Sequence, residues 1–197
     1  INACPKKAIT AREAEKELGG DTPIRKVAID RGLCDNCMKC AAACVPGSIY
    51  VSGYDITVDE VYARLERDRV FFKRGGGVTI SGGEPMAQFD FTYHLARRLK
   101  DGGFHTCLDT TGYAEPAQYA ALLPTIDLFL YDIQEMDQKI HKALTGAENE
   151  KILHNARFIA ERGGALQIPV PALPGLNARD ENTRAAPECT LPPCYAV

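Results

Sequence analysis

Four cysteines within eleven residues, spaced Cys34-x2-Cys37-x2-Cys40-x3-Cys44, constrain this chain more than any other feature. Thiolates three residues apart on a tight coil can bind three corners of a cubane iron–sulfur cluster, and the fourth ligand then comes from a distant cysteine that precedes a proline. Cys4 precedes a proline and is the candidate. The spacing predicts a 4Fe–4S cluster on Cys4, Cys34, Cys37 and Cys40, with Cys44 directed toward a second cluster.

Three other interpretations of the cysteine run remain open. A disulfide framework would suit a short secreted chain, but no leader sequence is visible and the run is very tightly grouped. Zinc usually binds two CxxC pairs separated by a longer loop. Incidental buried cysteines would not be expected at a repeated spacing of three.

We expect the chain to have been cut at its front edge, because the other ligands of the second cluster are absent.

Composition narrows the functional class. The chain has 197 residues, of which 45% are hydrophobic and 25% charged, with a formal net charge of −3. Residues 1–55 contain 8 Lys and Arg against 7 Asp and Glu, so no basic stripe suggests a nucleic-acid partner. No long apolar run predicts a membrane span. Eight cysteines without an export signal indicate a reducing, anaerobic cytoplasm.

The chain divides into three parts at the level of sequence texture. Residues 1–55 form a small iron–sulfur module, with a helix expected over Ala11–Leu18 and strands at Val27–Ile29 and Ile49–Val51. Residues 185–197 form an irregular tail. Its cysteines, Cys189 and Cys194, are expected to be incidental.

Residues 56–184 alternate between strands and helices. A capping-box pattern at Thr57–Glu60 begins a helix. Strands are expected at 78–80, 106–109, 128–133 and 166–170, and helices at 86–99, 116–123 and around 152–159. This alternation predicts an α/β fold with a parallel sheet, in which four strands are too few to close a barrel.

Polar residues follow the expected strands, at the edge where parallel α/β folds carry their chemistry. Ser81-Gly82-Gly83-Glu84-Pro85 follows the first strand, and its paired glycines would let a ligand approach the backbone. The turn is neither a dinucleotide fingerprint nor a P-loop, and a plain strand-to-helix connection is the alternative. Asp109 and Asp132 could instead catalyse acid–base hydrolysis. The four histidines are expected to be structural: His94, His105, His141 and His154.

Five motifs occur in a recognisable order: Gly75–Pro85, Leu108–Tyr113, Leu130–Gln134 with His141 and Thr145-Gly146, Ile168–Val170, and Pro174–Asn177. Together they resemble the activating enzymes of glycyl radical enzymes, a branch of the radical S-adenosylmethionine (SAM) superfamily. The branch that is most similar carries a two-cluster ferredoxin-like insert. The resemblance covers about residues 1–184, and it implies an incomplete radical SAM (β/α) barrel with a ferredoxin-like insert at its N-terminal end.

The resemblance also implies cofactors and partners. SAM would be bound by Gly82, Gly83 and Glu84, largely through backbone oxygens, and by a second group of residues at the neighbouring strand ends: Asp109, Asp132, Ile133 and Gln134. A 4Fe–4S cluster reductively splits SAM in this family, and the resulting 5′-deoxyadenosyl radical removes a hydrogen atom from a glycine of a partner glycyl radical enzyme. An external flavodoxin or ferredoxin would supply electrons.

The chain departs from the family pattern at several positions. No three cysteines have the CxxxCxxC spacing of the cluster-binding loop. Gln134 replaces a usual lysine and so removes a cation, and Gln167 replaces a common arginine. We therefore expect a fragment that is inactive alone. An electron-transfer protein of the ferredoxin type and a truncated, non-functional remnant remain as alternatives.

Overall fold

The computed structural model describes residues 2–13, 25–72, 76–169, 177–178 and 194–196. The chain divides into two compact units, Ile1–Asp55 and Ile56–Val197. Among the described residues, no helix combines the length and the apolar character that crossing a membrane requires.

In the first unit, strand β1 (Ile9–Glu13) pairs antiparallel with β2 (Arg25–Ile29). The short helix α1 (Lys39–Ala42) follows within the cysteine run. The strand expected around residues 27–29 is confirmed.

Two predictions for this unit are wrong. Residues 11–13 belong to β1 rather than to a helix, and 14–18 lie outside the described residues. Ala11 pairs with Val27, so tertiary pairing overrides the helix propensity of this segment. Ile49–Val51 is not a strand, since the Ile49 amide donates to Cys44 Sγ at 3.3 Å instead of joining a sheet.

The second unit alternates between helices and strands, which confirms the α/β class. Short 3-10 turns cover Arg69–Phe72, before the first strand of this unit, and Pro85–Gln88, after it. In chain order the helices and strands are α2 (Val58–Asp68), β3 (Val78–Ile80), α3 (Phe89–Asp101), β4 (Thr106–Thr110), α4 (Pro116–Leu122), β5 (Leu128–Tyr131), α5 (Gln138–Thr145), α6 (Glu150–Glu161), β6 (Leu166–Ile168) and β7 (Cys194–Ala196).

Within the described residues, the strands form one five-stranded parallel sheet in the order β3-β4-β5-β6-β7. The four strands expected from the sequence are all present. The expectation of an irregular tail is wrong at residues 194–196, because β7 pairs with β6. A strand joins a sheet edge through backbone hydrogen bonds, which do not require alternating apolar side chains. A strand of three residues is also too short to show such an alternation in the sequence.

Local sequence explains where the helices begin. The Thr57 side chain caps α2 by accepting a hydrogen bond from the Glu60 amide. In turn, the Thr57 amide donates to Glu60 Oε2 at 2.8 Å, as the capping-box pattern predicted. Pro85 opens the 3-10 turn that leads into α3. Asp137 caps α5 by accepting hydrogen bonds from two backbone amides. The core lies between the sheet and these helices, and its fully buried side chains include Leu99, Leu108 and Phe129.

Candidate functional site

The carboxyl ends of β3, β4 and β5 lie at one edge of the parallel sheet, and polar residues from all three are joined there. Ser81 Oγ donates to Asp109 Oδ2 at 2.7 Å, which links the turn after β3 to β4. The Asp132 amide donates to the Thr110 carbonyl at 3.0 Å, which links the segment after β5 to β4. We call these strand ends and the segments that follow them the polar rim.

The carboxylate of Glu84 is held by four donors. Its Oε1 accepts from the Met86 amide at 3.0 Å and from Thr110 Oγ1 at 2.8 Å. Its Oε2 accepts from the amide and the hydroxyl of Thr111, at 2.8 and 2.7 Å. A carboxylate has about four lone-pair sites, so these donors use its capacity. The side chain therefore ties the Gly82–Gly83 turn to the loop after β4, and only the backbone of Glu84 remains open to a ligand.

Gly82 and Gly83 have φ angles of +96° and +48°, a region that favours glycine. Both residues are exposed, and a Cβ added to either would meet no heavy atom within 4 Å. The space beside this turn is therefore open, and a small ligand can reach its backbone. This geometry fits the backbone-mediated cofactor binding that the sequence implied for these two glycines.

Asp132 is half-buried, and its Oδ2 accepts a hydrogen bond from Gln134 Nε2. Burial raises the pKa of the Asp132 carboxyl; the Gln134 bond opposes this effect, and the nearby Asp109 carboxylate adds to it. Ile133, between them, is 1% exposed and belongs to the core, so only its backbone can contact a ligand. Asn177 Nδ2 fixes this segment by donating to the Gln134 carbonyl at 2.8 Å.

Sequence reasoning missed the residues that support the rim from behind. Thr111 binds Glu84, while Asn149, Asn155 and Asn177 donate to the backbone of the loops after β4 and β5. Asparagine is uncommon in buried positions unless it is hydrogen-bonded. Asn155 could have been recognised from the sequence, because it is an asparagine among the apolar residues that form the buried stripe of α6.

The cysteine unit contains a cavity of about 250 Å³, and four of the predicted ligands line it: Cys4, Cys34, Cys37 and Cys40. Cys44 does not line this cavity. It lies with Cys40 beside a larger, more open one of about 750 Å³. The structure thus places Cys4 with the first three cysteines of the run, and Cys44 apart from this cavity.

Backbone conformation around these cysteines is unusual. Asn36 and Met38 both have φ of 56°, and such turns direct backbone amides toward anions, including iron–sulfur clusters. The Ala8 amide donates to Cys4 Sγ at 3.3 Å, a contact typical of cluster ligands. Among the described residues, no three His, Cys, Asp or Glu side chains are arranged to hold a single metal ion. The thiol donors and the cavity instead fit a cluster, whose ligands are spread around several irons.

Of the histidines, His141 is buried, and its Nδ1 lies 2.8 Å from the Ala147 carbonyl oxygen, within the segment that ends α5. His94, His105 and His154 are exposed. Cys189 lies outside the described residues, and of Cys194 only the backbone is described.

Known proteins resemble this chain along most of its length. It is 40% identical over 168 residues to the isethionate sulfite-lyase activating enzyme of Oleidesulfovibrio alaskensis, covering 83% of this chain and 54% of that protein. It is 37% identical over 184 residues to the trans-4-hydroxy-L-proline dehydratase activating enzyme of Clostridioides difficile, covering 92% and 57% respectively. The chain spans about half the length of these relatives.

Solved structures agree on the fold. A domain of the pyruvate-formate lyase-activating enzyme from Bacteroides vulgatus matches with a TM-score of 0.54 and 33% identity, covering 58% of this chain and 71% of that one. Streptococcus suis SuiB bound to SAM matches with a TM-score of 0.55 and 18% identity, covering 71% and 32%, which bears on the fold alone.

The family model for the radical SAM superfamily matches residues 34–185, which is most of the chain. This match includes the cysteine run and the whole polar rim. The resemblance to activating enzymes that the sequence suggested is confirmed by these relatives. The chain therefore belongs to the radical SAM superfamily.

Proposed function

We propose that this chain is part of an activating enzyme for a glycyl radical enzyme, and that its polar rim binds SAM. One observation carries the proposal: hydrogen bonds join the ends of β3, β4 and β5 around an exposed Gly82–Gly83 turn. The relatives named above are activating enzymes of this kind.

The charges of the rim suit this ligand. SAM carries a positive sulfonium and an ammonium group, and carbonyl oxygens of the turn can accept hydrogen bonds from the ammonium. Asp109 and Asp132 add acidic groups to the same edge of the sheet. SAM also carries a carboxylate, and Gln134 offers it a neutral amide where the usual lysine would place a cation.

The cysteine unit would hold a 4Fe–4S cluster on Cys4, Cys34, Cys37 and Cys40, while Cys44 would serve a second cluster. When bound, such clusters supply single electrons. We expect the complete enzyme to be cytoplasmic and to receive electrons from a flavodoxin or ferredoxin. It would generate a radical on a glycine of its partner enzyme by removing a hydrogen atom.

Titration of the chain with SAM, followed by calorimetry, tests the proposal. Gly82→Ala forces a side chain into a left-handed backbone and crowds the face that SAM would approach, so binding should weaken about tenfold or more. Gly103→Ala is the matched control. Gly103 also has a positive φ, +74°, and open space around it, but it follows α3 and precedes β4, away from the rim.

Equal weakening by both alanine variants would show that general backbone strain, not contact with SAM, causes the effect. Absence of SAM binding by the unsubstituted chain, with an intact and reducible cluster, would favour the electron-transfer alternative.

A further inference from the structure

Asn155, on α6, is completely buried, and its side-chain amide donates two hydrogen bonds to the same loop. Its Nδ2 donates to the Gly112 carbonyl at 2.9 Å and to the Ala114 carbonyl at 2.8 Å. Both acceptors lie in the loop after β4, more than 40 residues earlier in the chain. The amide therefore fixes the position of this loop against α6.

The other end of the same amide is unfavourable for folding. Asn155 Oδ1 is buried and has no hydrogen-bond partner within the part of the chain that the structure describes. An unpaired buried acceptor has lost its hydrogen bonds to water without gaining others, and this destabilises the folded state. A leucine of similar size would avoid this cost among the apolar neighbours of α6. An asparagine at this position is thus explained by what its two N–H groups do, rather than by packing.

The loop that Asn155 holds is the one that fixes Glu84. At its start, Thr110, the last residue of β4, accepts at Oγ1 from the Gly112 amide at 3.1 Å and also donates to Glu84. Thr111 donates to the same carboxylate twice. Hydrogen bonds therefore connect Asn155 through Gly112 and Thr110 to Glu84, which directly follows the glycine turn in the chain.

A second asparagine donates two hydrogen bonds to the backbone of the neighbouring loop, the one after β5. Asn149, which precedes α6, donates from Nδ2 to the carbonyls of Glu135 and Met136, at 3.0 and 2.7 Å. These residues directly follow Asp132–Gln134. Helix α6 and the residue that precedes it thus provide one side-chain amide for each of the two loops that follow β4 and β5.

We propose that Asn155 is a positioning residue for SAM binding: it does not touch the cofactor, but holds the loop whose threonines lock Glu84 and the Gly82–Gly83 turn. This inference rests on the proposed function, since SAM is the ligand of that turn. Asn149 plays the corresponding role for the segment that contains Asp132 and Gln134.

Asn155→Leu tests the proposal, because it keeps the size of the side chain and removes both donors. We expect the Kd for SAM to rise about tenfold, the equivalent of losing one to two net hydrogen bonds of positioning. Hydrogen exchange of the Thr111 amide, measured by NMR without SAM, should accelerate as well. Asn155→Ser, which can still donate one hydrogen bond, should give a smaller change in both quantities and guards against a leucine variant that folds poorly.

Ile159→Val is the control on the same helix. Ile159 is also fully buried, and losing one methyl group weakens the packing of the core without removing a hydrogen bond to the loop. It should lower Tm while leaving the Kd for SAM and the Thr111 exchange unchanged at temperatures well below Tm.

The outcomes separate the two proposals. Unchanged Thr111 exchange in Asn155→Leu, or an equal loss of SAM affinity in Ile159→Val, would overturn the positioning role. If the unsubstituted chain binds no SAM but Asn155→Leu still accelerates the Thr111 exchange, the proposed function fails, and control of the loop by Asn155 is supported.

Discussion

The cysteine unit and the α/β unit are stabilised in different ways. Among the described residues of the first unit, Ala8 and Ile9 are the buried apolar side chains, and helix α1 buries none. Where the structure describes the α/β unit, 20 apolar residues are buried in one cluster. Burial of apolar surface therefore accounts for the fold of the second unit but provides little for the first.

This difference indicates what each unit needs in order to fold. A segment of about 55 residues with so small a core usually depends on disulfides, metals or partners. Its cysteines are free and four of them line one cavity, so ligation of the proposed cluster would supply the stability that the small core does not. The α/β unit should fold without any cofactor.

The largest difference between the two units is expected when iron is removed from the protein. Anaerobic reconstitution with iron and sulfide should load a cubane cluster, and removing the iron with a chelator should abolish hydrogen-exchange protection over residues 25–51. Protection over residues 106–168 should persist, because its apolar core does not involve the cluster. Exchange measured by mass spectrometry on both forms checks this expectation.

Cysteine variants sharpen the same comparison. Cys4→Ser should lower the iron content, while Cys107→Ser on β4 should leave it unchanged. We also expect no change for Cys189→Ser. Loss of iron in either control would refute the assignment of the ligands, and so would persistent protection of the cysteine unit after chelation.

A smaller effect is expected from the core of the α/β unit. Phe129→Ala removes a fully buried ring that packs against Tyr119 and should cost about 3–5 kcal/mol of unfolding free energy. Phe71→Ala, where the ring is 77% exposed, should change stability by less than about 0.5 kcal/mol. Denaturant titration followed by circular dichroism measures both.

Iron content gives that experiment a second readout. If the two units are stabilised independently, Phe129→Ala should still bind iron at denaturant concentrations that unfold its sheet. Simultaneous loss of iron and of sheet structure would show that the two units unfold together.

The smallest effect concerns Asp132. Its pKa in the folded chain is raised, so between the unfolded and folded pKa values the native state binds more protons, and stability falls as pH rises through that window. Asp132→Asn keeps an acceptor for Gln134 and removes this penalty. The variant should gain less than about 3 °C in Tm at neutral pH and nothing at pH values below both pKa values. Equal Tm differences at pH 3 and pH 7 would contradict this assignment.

Patterns of local origin were predictable from the sequence. The strands at 78–80 and 106–109, the capping box of α2 and the order of polar residues at the strand ends all follow from periodicity and turn chemistry. Errors arose where partners are distant. Residues 11–13 are paired with β2 across an intervening segment, and residues 194–196 join β6 from far along the chain. Pairing of this kind depends on which backbone groups meet, and side-chain spacing does not record it.

By itself, the sequence determined the class of chemistry, because cysteine spacing and a glycine turn are local properties of the chain. Only the tertiary structure decided which acceptors and donors meet: Glu84 with Thr111, and Asn155 with the loop after β4. Hydrogen bonds and shared cavities act over a few ångströms. Contacts between residues 27 to 43 positions apart therefore form only after the strands and helices have packed.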